Sequence, residues 1–123
     1  MSEKLLIKLA SHRAEVYRNI RHYLKIIVET VKELDREAEV YLFGSIVEGT
    51  YTLSSDIDVL IVTDHHPENL LVKLWERGIK DPFEIHIIKR DILDLYRKRS
   101  KLMKIEDTID FIDTQHLGKS IQI

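Results

Sequence analysis

Asp58 interrupts an apolar run, Ile57-Asp58-Val59-Leu60-Ile61-Val62. A near-continuous β-branched run of this kind suits a strand buried on both faces. A carboxylate inside it is costly unless something recovers its desolvation. Asp56 stands two residues earlier. Alternate side chains on a strand share a face, so Asp56 and Asp58 are expected to converge on one point. Two like charges repel unless a cation sits between them. Mg²⁺ is the natural partner, being hard, oxygen-seeking and usually held by one or two carboxylates together with substrate phosphates.

A second run, Glu39-Val40-Tyr41-Leu42-Phe43, lies upstream and stops at Gly44-Ser45. It reads as a strand ended by a turn. Glycine lets backbone approach a phosphate closely. Ser45 adds a hydroxyl and an N–H, and a short helix starting here would favour an anion at its N-terminus. The pattern predicts a nucleoside triphosphate reaching from the Gly44-Ser45 turn to a metal on Asp56 and Asp58. A third carboxylate would complete a site for in-line displacement at phosphorus. Glu84 is the candidate, in the third predicted strand Phe83-Glu84-Ile85-His86-Ile87-Ile88. His86 shares its face, where it would orient a ligand, contact a base or be simply structural.

The remaining chain predicts helices around these strands. Val16, Ile20, Tyr23, Leu24, Ile27, Val31 and Leu34 recur at helical steps within residues 3–36. Leu5, Leu6 and Leu9 form an earlier stripe. Either Ser11 caps a second helix or the segment is one long helix. Pro67 and Gly78 suit the start and end of another helix, with Leu70, Leu71, Leu74 and Trp75 as its buried stripe. Asp91 can cap a last helix bearing Ile92, Leu95, Tyr96, Leu102 and Met103. The expected architecture is α/β (α+β), a small mixed sheet flanked by helices. It is read as a single domain over residues 1–123, with a core at about 13–104. Residues 105–123 form an acidic, apolar-studded tail and a candidate docking segment.

Composition narrows the partners. Lys and Arg total 19 against 21 Asp and Glu, a formal net charge of −2. That argues against direct nucleic-acid binding through a basic surface. The absence of cysteine removes disulfides and zinc-thiolate sites. No apolar run approaches the roughly 20 residues of a membrane span. The N-terminus lacks a signal-peptide pattern, so a cytoplasmic location is expected. Arg97-Lys98-Arg99-Ser100-Lys101 reads as a solvated helix end or a contact for phosphates or an acidic partner. Tyr51 reads as a base-stacking or a packing residue.

Gly44-Ser45, ten intervening residues and Asp56-Ile57-Asp58 resemble the signature of the polymerase-beta-like nucleotidyltransferase superfamily. The short chain is similar to the minimal nucleotidyltransferases, and the resemblance covers roughly residues 13–100. It implies that Gly44 and Ser45 hold the triphosphate. Asp56, Asp58 and Glu84 would hold Mg²⁺, and Glu84 would help activate the attacking hydroxyl. It further implies ATP, or another nucleoside triphosphate, as substrate and pyrophosphate as product. Many relatives carry arginine between Ser45 and Gly49, where this chain has Ile46-Val47-Glu48. Glu48 brings negative charge close to the expected triphosphate and weakens that grip.

The resemblance also implies a partner. Minimal nucleotidyltransferases pair with small helical HEPN toxins and act as antitoxins, in some pairs by adenylylating a toxin tyrosine. Two alternatives follow from the same residues. One is an antitoxin or scaffold that works by contact with little or no catalysis. The other is a small-molecule nucleotidyltransferase whose acceptor pocket forms across a homo-oligomer.

Overall fold

The computed structural model describes residues 2–105. Two helices come first, α1 (Glu3–Arg18) and α2 (Ile20–Leu34). The break falls at Asn19, so Ser11 lies inside α1 and the segment is neither one long helix nor capped at Ser11. Asn19 suits a break because its short amide competes for backbone groups. Its Nδ2 donates to the Glu15 carbonyl at 2.9 Å. Ser2 caps α1 by accepting from the Leu5 N–H at 3.2 Å.

Strand β1 (Glu39–Phe43) leads through the four-residue helix α3 (Ser45–Glu48) to β2 (Ile57–Val62). Helix α4 (Pro67–Glu76) precedes β3 (Phe83–Ile88). A 3₁₀ turn (Arg90–Ile92) runs into α5 (Leu93–Arg99). The predicted last helix is therefore shorter than its apolar spacing suggested. Asp91 lies within the 3₁₀ turn rather than at a cap, and Met103 belongs to β4 (Met103–Lys104).

The strands form one mixed sheet in the order β3-β2-β1-β4. β1 is antiparallel to both β2 and β4, whereas β2 and β3 run parallel. β2 is central, and all of its side chains except Asp58 are buried. The two faces of β2 feed different clusters. Ile57, Val59 and Ile61 join the main core with Tyr17, Ile20, Leu24 and Ile27 from the first two helices and Leu70 and Leu74 from α4. Leu60 and Val62 meet Tyr41 and Leu93, with Phe43, Tyr96 and Leu102 packed around them.

Periodicity identified the buried face of α2 correctly but overstated three others, including the last helix, where Ile92 and Leu95 are exposed. Leu5, Leu6, Ile7 and Leu9 on α1 are exposed, as are Leu71, Val72 and Trp75 on α4. Lys80 Nζ covers the Trp75 ring at 4.3 Å from its centroid. Among the described residues, no helix is long and apolar enough to cross a membrane. Of the candidate docking tail, Ile105 is buried in the main core, and residues 106–123 lie outside the described residues.

Candidate active site

The parallel register of β2 and β3 sets Asp58 opposite Glu84 and Leu60 opposite His86. Asp58, Glu84 and His86 therefore emerge on one face of the sheet. That face belongs to Leu60 and Val62, whose cover from α5 stops short of Asp58. The side chain of Asp58 is 23% exposed, against 53% for Glu84 and 30% for His86. One ligand atom from each lies within 4.8 Å of the other two.

His86 Nε2 is 3.5 Å from Asp58 Oδ1 and 3.4 Å from Glu84 Oε1. It is buried, and it is in hydrogen-bonding alignment with neither. The ring is held edge-on by Phe43, with centroids 5.0 Å apart. Phe43 is fixed in turn by Tyr96 at 6.0 Å.

Gly44 closes the site from β1. Its φ is +76°, a conformation that side chains rarely adopt. A Cβ placed there would fall on Asp58 Oδ2. Glycine is thus required twice, for the turn and for the space that the carboxylate occupies. Ser45 opens α3 and is half-buried. Ile46, in the stretch where many relatives carry arginine, is buried in the main core. Glu48 is exposed at the far end of the same turn.

Asp56 sits one residue before β2 and does not join the three-donor group. Its carboxylate, 50% exposed, is 3.3 Å from Arg13 on α1. Arg13 also binds Asp81 at 2.7 Å and donates to the carbonyls of Leu53 and Ser55 at 3.2 and 2.9 Å. Burial opposes its charge, but the hydrogen bonds and charges of Asp81 and Asp56 together outweigh burial and raise its pKa. Tyr17 adds a second tie by donating to the Ser55 carbonyl at 2.9 Å. Burial pushes this phenol up to about 12, so it remains a donor. Tyr51 stacks on Tyr17 with centroids 5.4 Å apart and rings within 4° of parallel. One face of Tyr51 is therefore spent on packing.

The carboxylates and the glycine turn were legible as a motif, whereas Arg13 was missed. Its partners lie about 40 to 70 positions away, beyond any helical or strand period. The only local hint was a basic residue at the edge of the buried stripe of α1.

The nucleotidyltransferase domain family matches residues 24–113, which include every one of these groups except Arg13 and Tyr17. The chain belongs to that family. A crystal structure of a candidate nucleotidyltransferase is 32% identical, covering 68% of this chain and 97% of its own, with a TM-score of 0.53. A second candidate nucleotidyltransferase, from Sulfolobus solfataricus, is 27% identical over 73% of this chain and 85% of its own, with a TM-score of 0.51. Among curated proteins the chain has no match. The mixed sheet with its flanking helices is thus the fold of a nucleotidyltransferase domain.

Membership implies a nucleoside triphosphate as substrate and a divalent metal. The residues present fit a cation: Asp58 and Glu84 are paired across adjacent strands, and the orphaned His86 Nε2 lies within 3.5 Å of both carboxylates. The nucleotidyltransferase setting also defines a test of Arg13, which positions Asp56 without touching the three-donor group. Arg13→Met keeps the aliphatic packing and removes four donor contacts. Transfer is expected to fall about tenfold, as for an outer-shell partner of a metal site. Stability should fall by about 1–2 kcal/mol from the lost hydrogen bonds. Steady-state kinetics beside thermal unfolding separate the two effects; unchanged kcat/KM would limit Arg13 to holding the loop.

Proposed function

We propose that this nucleotidyltransferase moves a nucleoside monophosphate, AMP from ATP, to a hydroxyl acceptor with Mg²⁺ or a similar divalent ion bound at Asp56, Asp58 and Glu84. The single observation that carries the reading is the meeting of Asp58 and Glu84 beside the Gly44 turn. The metal, when bound, would neutralise charge on the phosphates and lower the pKa of the attacking hydroxyl. The Gly44-Ser45 turn binds the triphosphate through backbone N–H groups and the Ser45 hydroxyl. Glu84 is the base that takes the hydroxyl proton. The acceptor oxygen then bonds to the α-phosphorus, the bond to the β-phosphate oxygen breaks, and pyrophosphate leaves. Phe43, backed by Tyr96, holds the His86 ring edge-on beside the site.

For the acceptor, the reading is a tyrosine of a small helical HEPN-type partner, with the pair working as antitoxin and toxin in the cytoplasm. The exposed apolar residues of α1 support a protein acceptor, because Leu5, Leu6, Ile7 and Leu9 are all exposed in the first half of that helix. The same surface supports a second reading, in which contact alone neutralises the partner.

One experiment separates them. The protein is incubated with its co-purifying partner, Mg²⁺ and each of the four nucleoside triphosphates, and both chains are weighed intact. The expected result is a partner heavier by one AMP, with release of pyrophosphate and the label on tyrosine. A tight complex without label supports contact alone. Absence of pyrophosphate release with every nucleotide overturns the transfer reading.

A further inference from the structure

The geometry points to His86 Nε2 as a direct ligand of the catalytic cation beside Asp58 and Glu84, adding an imidazole to the carboxylate site so that it favours Mn²⁺ over Mg²⁺. This inference rests on the metal-dependent reading above and concerns which metal that site selects.

Three observations carry it. The first is position. Glu84 and His86 are alternate residues of β3, so they share a face, and the parallel register brings Asp58 alongside Glu84. Ligand atoms about 2.1 Å from one octahedral cation lie about 3 Å apart when adjacent and about 4 Å apart when opposite. The separations of 3.4 and 3.5 Å from Nε2 to the two carboxylates fall inside that range.

The second is the state of Nε2 itself. It is buried with no hydrogen-bond partner. A buried polar atom left unpaired is costly. With the ring proton on Nδ1, the Nε2 lone pair would face two carboxylate oxygens, and all three would repel. With the proton on Nε2, the atom is a donor aligned with neither acceptor. A cation among the three atoms resolves both conflicts.

The third is preorganisation. The edge contact with Phe43, backed by Tyr96, fixes the ring, so little side-chain freedom is lost on ligation.

The donor set decides the metal. Mg²⁺ is bound through oxygen and gains little from an imidazole. First-row ions accept imidazole readily, and Mn²⁺ is the one among them that shares the preference of Mg²⁺ for carboxylate and water. His86 should therefore leave Mg²⁺ affinity nearly untouched and raise that for Mn²⁺.

The test is electron spin-echo modulation on the full chain with Mn²⁺ alone, then with Mn²⁺ and inorganic tripolyphosphate, which contains no nitrogen. The wild-type protein is expected to show ¹⁴N coupling to Mn²⁺ that changes on ¹⁵N-histidine labelling. In His86→Ala the coupling should vanish and the Mn²⁺-to-Mg²⁺ affinity ratio should drop about tenfold or more. Mn²⁺ bound without nitrogen coupling would overturn the imidazole ligand while leaving the metal-dependent reading intact. Failure of either ion to bind, with or without tripolyphosphate, would overturn both. The wild-type spectrum decides the question even if His86→Ala proves unstable.

Discussion

Asp58→Asn is expected to lower nucleotidyl transfer by on the order of 10³-fold, as expected when a charge aimed at the reacting centre is removed. Its fold should be unaffected. Asparagine has the shape of aspartate and still fits the space that Gly44 leaves open. It also removes one of two like charges on neighbouring strands, since Asp58 is paired with Glu84. Thermal stability should therefore stay within about 0.5 kcal/mol, the range of substitutions that create no cavity and bury no unpaired charge. What changes is chemistry: an amide offers a cation only a neutral oxygen, and no longer balances its charge. Pyrophosphate release measured beside metal affinity should fall together. Asp58→Asn protein that transfers within tenfold of wild type would remove Asp58 from the mechanism. The matching change Asp56→Asn should be milder, because Asp56 is half exposed and already balanced by Arg13.

The sheet was legible because strands flanked by glycine and proline announce themselves. Val40 to Phe43, Ile57 to Val62 and Phe83 to Ile88 are apolar or alternating runs, and each lies where it was expected. β4 was not legible. It pairs only Met103 and Lys104 with Leu42 and Tyr41, and two residues carry no period. The helix stripes showed a different limit. Leu5, Leu6 and Leu9 repeat as a buried face would, yet they are exposed. Periodicity reports that a helix is amphipathic, not what covers it.

Within the site, spacing revealed the carboxylates but not their support. His86 could be placed on the face of Glu84 from strand alternation alone. That its Nε2 faces two carboxylates unpaired depends on the packing of Phe43 and Tyr96. Arg13 depends on how α1 crosses the loop at residues 53–56 and the turn at Asp81. Ile46, in the stretch where many relatives carry arginine, is a core residue, so the turn after Gly44 is anchored by burial.

Gly44→Ala and Gly49→Ala are expected to differ both in backbone strain and in their effect on the site. Both glycines have positive φ, +76° and +79°, but ψ is −154° at Gly44, a region essentially confined to glycine, and 14° at Gly49, in the left-handed helical region. An alanine at Gly49 is expected to destabilise the fold by about 1–2 kcal/mol through the left-handed backbone, and one at Gly44 by up to about 3 kcal/mol through its Gly-only backbone. Their surroundings differ. A Cβ at Gly49 meets nothing within 4 Å, whereas one at Gly44 collides with the carboxylate of Asp58. Asp58 cannot yield easily, because β1 and β2 hold Phe43 and Asp58 in register and the neighbours of Asp58 on β2 are buried. Gly44→Ala should therefore lose transfer and metal binding, about 10²-fold for a misplacement of this size. Gly49→Ala should keep both to within a few-fold at temperatures where it is folded. Calorimetric unfolding with metal titration on the two proteins reads the difference directly. Equal loss of activity in both would mean that the contact between position 44 and Asp58 is incidental.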